Sequence, residues 1–268
     1  MANSGRIITL LTDFGLRDHF VAAMKGVMLS VNPDLNLVDI SHLVPPQDIH
    51  TGAFLLGQTY SCFPPGTIHL VVVDPGVGTA RKILAASAGG SYFVAPDNGI
   101  LMYVKMANED FQAYEVTADH YFSKPVSNTF HGRDIFAPVA AWISREIPLP
   151  QMGQELADPV LLKIPAPAQV KEGLIQAAIL AVDHFGNLIT NLTPDDLPVF
   201  DPAQPLPFKI LAGKREITRY HDVYRGGESG DIFIITGSTG YIEISMRDGS
   251  AAATLGLKGG NPIGVVLS

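Results

Sequence analysis

The sequence predicts an α/β domain with a mainly parallel sheet covered by helices, followed by a smaller all-β, barrel-like domain. The first domain is predicted by short β-rich runs that alternate with stretches of helical period. These runs are continuously apolar, which is typical of parallel strands buried on both faces. The second domain is predicted by short β-type runs separated by Gly, Pro, Asn and Asp.

The predicted elements of the first domain follow one another as strand, helix, strand, helix, strand and strand. They are RIITLLTD (6–13), DHFVAAMKGVMLSVNP (18–33), LNLVDI (35–40), PQDIHTGAFLLGQTY (46–60), TIHLVVVD (67–74) and SYFVAP (91–96). Pro33 ends the first helical stretch, since proline cannot continue a helix. Repetition of strand and helix in this order predicts a parallel sheet with helices packed on it.

The domain boundary is predicted where DPVLLKIPAPAQVKEG (158–173) carries three prolines and neither helical nor strand alternation. We therefore expect an α/β domain at 1–160, a proline-rich linker at 161–173 and a β-barrel-like domain at 174–268. The β-type runs of the second domain are GLIQAAILAVD, LPFKILA, DIFIITGS, YIEISM and PIGVVLS.

Composition limits the classes of protein and of partner. Of the 268 residues, 47% are apolar and 16% charged, which excludes a disordered chain and favours an oligomer with much covered surface. The net charge is −8 without a cluster of basic residues, so a nucleic-acid or anionic-membrane partner is not expected. We see no signal peptide or membrane span and expect a cytoplasmic protein. Cys62, the single cysteine, excludes an intramolecular disulfide and is expected to be buried.

Polar residues follow several predicted strands, and α/β proteins bind ligands at the carboxyl ends of the strands of their sheet. In the first domain Asp13 ends LLTD and Asp74 ends VVVD, and in the second domain Asp183 ends the strand of VDHFGNLITN (182–191). A further polar cluster, NTFHGRD (128–134), precedes a helical stretch. Taken singly, each aspartate has an alternative interpretation as a turn former or helix N-cap. Four such clusters in one chain favour a functional site.

Several familiar chemistries lack their motifs. DPGVGT lacks the GKS or GKT ending of a P-loop, and no GxGxxG opens a helix after the first strand. There is no GxSxG elbow of a serine hydrolase and no HExxH or other tight spacing of metal ligands. We expect no catalytic metal and no nucleotide cofactor of these kinds.

Five separated motifs together carry a resemblance to a known family. They are LTDFGLRDHFVAAMKGVMLSVNPDLNLVDISH, FPPGTIHLVVVDPGVGTAR, YFVAPDNGIL, TFHGRD and VDHFGNLITN, in this order. Over nearly the whole chain the sequence resembles the S-adenosyl-L-methionine hydroxide adenosyltransferases, which are related to the fluorinase and chlorinase enzymes.

The resemblance implies an enzyme that hydrolyses S-adenosylmethionine to adenosine and L-methionine without a cofactor. It also implies an N-terminal α/β domain, a C-terminal β-barrel and a homotrimer with active sites at the subunit interfaces. Two alternatives remain open: a halide-dependent adenosyl transferase of the same fold, and a protein that binds S-adenosylmethionine or adenosine without turnover.

The resemblance assigns water activation to Asp74, Arg81 and His131. The halide-using relatives carry a neutral, hydroxyl-bearing residue in place of Asp74, so this aspartate favours the hydrolase. A carboxylate or an imidazole can accept a proton from water, and the sequence leaves open which of the two does so.

The resemblance also assigns six residues to the substrate. Asp13 matches the aspartate that binds the ribose hydroxyls. Asp183 matches the residue that binds the methionine ammonium, and Ser238 matches the residue at the methionine carboxylate. Phe185 and Asn187 match residues on the adenine side, and Ala251 matches a position near the adenine edge.

Overall fold

The computed structural model describes residues 5–164, 166–200 and 204–267. Pro165, in the predicted linker, and Ser268, at the end of the last predicted strand, lie outside the described residues, as do residues 1–4 of the first predicted domain. The chain divides into two compact units, Met1–Leu162 and Lys163–Ser268. In the described parts of the chain, no helix combines the length and apolarity needed to cross a membrane.

The first unit is a sheet with helices packed on both faces. Its strands are β1 (Ile7–Thr12), β2 (Asn36–Ser41), β3 (Ile68–Val72), β4 (Ile83–Ala88), β5 (Ser91–Pro96), β6 (Gln112–Val116) and β7 (Gly153–Glu155), and its helices are α1 (Phe20–Val31), α2 (Ile49–Thr59), α3 (Met102–Ala107) and α4 (Ala137–Ser144). The six predicted elements are all present, with ends within three residues of those expected. The helix-covered sheet is confirmed.

The sheet is mixed in the direction of its strands. Its order is β2-β1-β3-β5-β4-β6-β7, in which β2, β1, β3 and β5 are parallel neighbours and the remaining pairs are antiparallel. The change of direction occurs at the hairpin between β4 and β5, where Gly89 and Gly90 both have positive φ. Two glycines in this conformation form the turn that matches the twist of a two-residue hairpin.

Apolar residues on the two faces of the first sheet form two separate cores. One core packs α1 and α4 onto the sheet around Leu10, Met24 and Phe136. The other lies under α2 and α3 and includes Leu56 and Phe93. Burial on both faces explains why β1 and β3 are continuously apolar in sequence.

Cys62 is exposed, so the expectation of a buried thiol was wrong. It ends a short 3₁₀ turn, Tyr60–Cys62, that follows α2. The ring of Tyr60 packs against Phe93, at 5.7 Å between ring centroids, and so provides the inward-facing side chain of this turn.

The second unit is a barrel-like antiparallel sheet around one core. Its strands are β8 (Ala168–Lys171), β9 (Leu174–Val182), β10 (Leu188–Thr190), β11 (Phe208–Ala212), β12 (Arg215–Ile217), β13 (Ile232–Thr236), β14 (Ile242–Met246) and β15 (Pro262–Leu267), and one short helix is α5 (Ala251–Leu255). Every pairing between these strands is antiparallel. The predicted barrel-like architecture is confirmed.

The structure corrects one local prediction in the segment between the two domains. Part of the predicted linker, Ala168–Lys171, is the edge strand β8, which pairs with β9. All four of its residues are exposed, so it has no alternation of apolar and polar residues from which it could be predicted.

His69 is a fully buried polar residue in the middle of β3. Its Nδ1 lies 2.8 Å from Thr9 Oγ1 on the neighbouring strand, and its ring stacks on Phe93. Burial lowers the pKa of His69 to about 4, so the folded protein holds this ring neutral at pH values where an exposed histidine takes up a proton.

We therefore expect the free energy of unfolding to fall as the pH is lowered from about 6.5 to 4. In this window the unfolded chain binds a proton at His69 and the folded chain does not, and the difference from the ordinary pKa corresponds to about 3 kcal/mol. Urea unfolding at pH 7.5, 5.5 and 4 measures this loss for the wild type and for His69→Phe. Equal loss in the two proteins would contradict the assignment.

Candidate active site

A loop at the carboxyl end of β3 returns Arg81 to Asp74. Thr79 Oγ1 donates to the carbonyl of Gly76 at 2.7 Å and accepts weakly from the Arg81 main chain at 3.4 Å. Gly78 has φ +77°, and a Cβ at this residue would overlap the carbonyl oxygen of Asn128. The turn therefore requires glycine both for its conformation and for its close approach to the segment before His131.

Asp74 and Arg81 form an enclosed ion pair. Arg81 Nε donates to both carboxylate oxygens at 3.0 Å, and Nη2 lies 2.5 Å from Oδ2. The two side chains are only 5% and 10% exposed, respectively. A carboxylate at the end of a core strand is thus stabilised by charge-assisted hydrogen bonds from the loop that follows it.

His131 completes this cluster from a distant part of the chain. Its Nδ1 lies 2.8 Å from Arg81 Nη2. The residue precedes a π-helical turn, Gly132–Phe136, that leads into α4, and the Phe136 ring lies under the Arg81 guanidinium at 5.1 Å. The structure therefore brings together the three residues assigned to water activation.

Buried Asp134 holds the segment that carries His131. It accepts from the main-chain N–H of Ser127 at 2.9 Å and from Arg133 at 2.6 and 3.0 Å. These bonds, together with burial of the carboxylate, fix the chain on both sides of His131.

The hydrogen bond from Arg81 determines which nitrogen of His131 carries the proton. A guanidinium has only donors, so Nδ1 must accept, and the neutral imidazole then carries its hydrogen on Nε2. Burial, and then the charge of Arg81, lowers the pKa of His131, while Asp74 and Asp134 act in the opposite direction. His131 is therefore held neutral, as a donor at Nε2.

Asp13 lies at the same edge of the sheet as Asp74. β1 and β3 are parallel neighbours with Thr12 opposite Val72, so their carboxyl ends coincide. Asp13 Oδ2 accepts from the main-chain N–H of Gln47 at 2.7 Å, which orients the carboxylate. The following residue, Phe14, packs edge-on against Phe130.

In the second unit, the loop 183–187 is organised by the side chain of Asp183. Its Oδ1 accepts from the main-chain N–H groups of Phe185 and Asn187 at 2.9 and 2.8 Å, and its Oδ2 accepts from Asn187 Nδ2 at 2.8 Å. Asn187 is buried by these contacts, whereas Phe185 is 75% exposed. An exposed aromatic ring of this kind offers an open face for stacking on a flat ligand.

Ser238 and Ala251 lie in different surroundings. Ser238 is exposed in the turn 237–240. Ala251 is fully buried in the core of the second unit, so its methyl group faces that core and only its main chain is available to a ligand. The main-chain N–H of Ala252 donates to the carbonyl of Gly186 at 2.9 Å and ties the start of α5 to the loop 183–187.

Sequence reasoning missed three residues that shape these clusters: Phe136, Tyr224 and Glu243. Phe136 packs on the Arg81 guanidinium. The hydroxyl of Tyr224 donates to Glu243, a buried residue whose carboxyl pKa is raised in part by the charge of Asp183. A signal existed for Glu243, because it is a single charge inside the apolar run YIEISM.

Comparison with known proteins shows similarity over the whole architecture. The family model described as the SAM hydroxide adenosyltransferase N-terminal domain matches residues 8–153, and the C-terminal domain of the same family matches 177–264. The (R)-S-adenosyl-L-methionine hydrolase of Salinispora tropica is 37% identical over 260 residues, which cover 96% of this chain and 97% of the relative.

A more distant sequence relative and a solved structure also match the chain over nearly its whole length. A fluorinase of Actinoplanes sp. is 29% identical, with 97% of each chain covered. The crystal structure of a conserved protein from Thermotoga maritima matches with a TM-score of 0.88 and 34% identity, covering 97% of this chain and 99% of the other.

The two units, one α/β and one barrel-like, together with the similarity to curated hydrolases over nearly the whole chain, define a two-domain enzyme. Within that class, the chain belongs to the SAM hydroxide adenosyltransferase family.

Proposed function

We propose that this protein hydrolyses S-adenosyl-L-methionine to adenosine and L-methionine, with water attacking the ribose 5′ carbon. The observation that carries the proposal is the hydrogen-bonded cluster of Asp74, Arg81 and His131. Identity of 37% to a protein named (R)-S-adenosyl-L-methionine hydrolase supports it.

Within this cluster we assign Asp74 as the acceptor of the proton that the attacking water loses. His131 donates from Nε2 in its neutral form, so it can orient the attacking water but has no free lone pair with which to accept a proton. Asp74 Oδ1 receives only Arg81 Nε among the described hydrogen bonds and keeps an acceptor site. Positioned proton transfer of this kind contributes typically 10²–10⁴-fold.

The bond changes of the proposed step balance without a metal or a redox cofactor. The water oxygen forms a bond to C5′ as the C5′–S bond breaks, and its proton passes to Asp74. The electron pair of the broken bond stays on sulfur, which changes from a sulfonium cation to the neutral thioether of methionine. The leaving group therefore needs no acid.

The remaining assignments are proposals for substrate binding. Asp13 accepts from the ribose hydroxyls, because a carboxylate offers two oxygens to two adjacent donors. Phe185 stacks on adenine, Asn187 bonds to it, and Ala251 contacts it through the main chain. Asp183 and Ser238 bind the amino and carboxylate groups of the methionine half.

The second candidate is a halide-dependent transferase, favoured by the identity to a fluorinase. The carboxylate of Asp74 argues against it. Two like charges at ~4 Å repel by about 1 kcal/mol even in water-like surroundings, and more in a drier site. The side chain of Asp74 is only 5% exposed, so a halide beside it is disfavoured.

Heavy-oxygen water tests the reaction. We expect the label on the 5′ hydroxyl of adenosine, and the same yield in chloride-containing and chloride-free buffer, by mass spectrometry of the products. Label in methionine would contradict attack at C5′. A 5′-halogenated nucleoside would identify the halide-dependent transferase, and binding without any product would identify a non-catalytic binding protein.

We further propose a homotrimer with active sites at the subunit interfaces, supported by the low charged fraction of 16%. Light scattering at micromolar concentration is expected to give about three times the chain mass of 28.7 kDa. Dilution that dissociates the assembly is expected to remove activity, so a fully active monomer would contradict this arrangement.

A further inference from the structure

Glu243 is a buried carboxylate in the second unit that the proposed reaction does not yet use. It lies within β14 and is opposite Ile189 of β10 and Ile235 of β13. Its neighbours along the strand, Ile242 and Ile244, face the core of the barrel, so Glu243 faces the other side of the sheet. The residue is only 5% exposed, and a buried charge needs a partner.

One oxygen of this carboxylate accepts a hydrogen bond from a described residue and the other does not. The hydroxyl of Tyr224 donates to Oε2 at 2.9 Å. Oε1 lies against Gly237, where a Cβ would overlap it, and has no hydrogen-bond partner among the described residues. Gly237 begins the turn that carries Ser238. An open acceptor of a buried side chain therefore lies beside the proposed methionine-binding turn.

The charge of Asp183 raises the pKa values of both Glu243 and Tyr224. Burial is the main cause that raises the pKa of Glu243, the hydrogen bond from Tyr224 opposes it, and the Asp183 carboxylate raises it further. Burial, the bond to Glu243 and the charges of Glu243 and Asp183 also raise the pKa of Tyr224 to about 12. A cation bound between the two carboxylates would relieve their repulsion.

Asp183 alone is poorly suited to bind a whole ammonium group. A carboxylate has about four acceptor positions, and three hydrogen bonds from its own loop occupy Asp183. An alkylammonium presents three donors. At least one further acceptor is needed nearby, and Oε1 of Glu243 is open.

We propose that Glu243 is a second carboxylate that binds the α-ammonium group of the substrate, together with Asp183. This inference rests on the proposed function for the identity of the substrate. Tyr224 is a positioning residue, because its hydroxyl holds Oε2 and leaves Oε1 for the ligand. Glu243 thereby determines specificity: a substrate without the amino group leaves a buried carboxylate unpaired, which costs affinity.

The test compares Glu243→Gln with the wild type on two substrates, S-adenosylmethionine and its analogue without the α-amino group. The substitution keeps size and an acceptor for Tyr224 but removes the charge. We expect KM for S-adenosylmethionine to rise roughly tenfold to a hundredfold with kcat nearly unchanged, since bonds to charged groups are lost. For the desamino analogue, KM is expected to fall or stay the same.

The matched control is Glu228→Gln, which removes an exposed carboxylate from the segment that contains Tyr224. It is expected to behave as the wild type. Circular dichroism melting checks that each variant folds, and Tyr224→Phe provides a milder perturbation, with a smaller rise in KM, if Glu243→Gln does not fold.

Failure of the proposed role of Glu243 can be distinguished from failure of the proposed function. If the wild type forms adenosine and Glu243→Gln keeps the wild-type preference for the amino group, the role of Glu243 is overturned while the proposed function stands. If the wild type forms no adenosine, the proposed function fails, and calorimetry with the same two ligands still decides whether Glu243 recognises the ammonium.

Discussion

Replacing Asp74 by Asn is expected to lower kcat for adenosine formation by about 10²–10⁴-fold, because the variant loses the proposed proton acceptor. The amide keeps the size of the side chain and one oxygen for Arg81, so the loop 74–81 can keep its shape. Steady-state turnover of S-adenosylmethionine measures the first effect. Calorimetry is expected to show ligand affinity close to that of the wild type.

Stability has to be measured beside activity, because breaking a buried ion pair costs about 3–5 kcal/mol. The matched control is Asp119→Asn, which breaks an ion pair to Lys124 in which the aspartate side chain is 68% exposed. That control is expected to change neither turnover nor stability measurably. A folded Asp74→Asn protein with wild-type turnover would remove Asp74 from the mechanism.

Replacing Gly78 by Ala is expected to have the second-largest effect. The position has φ +77°, which costs a residue with a Cβ about 1–2 kcal/mol, and the Cβ would overlap the Asn128 carbonyl oxygen. Relief of the overlap must move the loop 74–81 away from the segment before His131. We expect a loss of about 3 kcal/mol in unfolding free energy and a large fall in kcat, since misplacement of about 1 Å costs roughly 10²-fold.

The control Gly260→Ala separates the cost of a positive φ from the cost of the steric overlap. This glycine has φ +82°, and nothing lies within 4 Å of a Cβ built on it. The control therefore carries the conformational cost without the overlap, and it is expected to lose about 1–2 kcal/mol of stability and no activity. Urea unfolding and turnover measure both variants. If Gly78→Ala matched Gly260→Ala, the close approach to Asn128 would be of no consequence.

The elements of the first unit were predictable where their pattern is strong. IITLLT and IHLVV are β-rich and apolar, and the helices carry the period of one buried face. The strand β4, ILAASA, was missed, although the GG that follows it is the signal of a two-residue hairpin. Alanine is a weak strand former, so the alanine-rich composition of β4 did not indicate a strand.

The candidate site was predictable in part from motifs and in part not at all. The sequence indicated Asp74, Arg81 and His131 through the resemblance of their motifs. It did not show that Arg81 bonds both to Asp74, seven residues away, and to His131, fifty residues away. The contact with Arg81 determines that the hydrogen of neutral His131 lies on Nε2. The proposal that Asp74 accepts the proton from water depends on this result and could not be made from the sequence.

The sequence alone determined the class of fold, the succession of its main strands and helices, and the family motifs, because these depend on local composition and periodicity. The tertiary structure decided the strand order β2-β1-β3-β5-β4-β6-β7, the neutral state of His131, the burial of Ala251 and the open oxygen of Glu243. Each of these depends on which distant segments pack together. Hydrogen-bond partners, burial and pKa values are properties of such contacts, and a residue type at a position does not specify them.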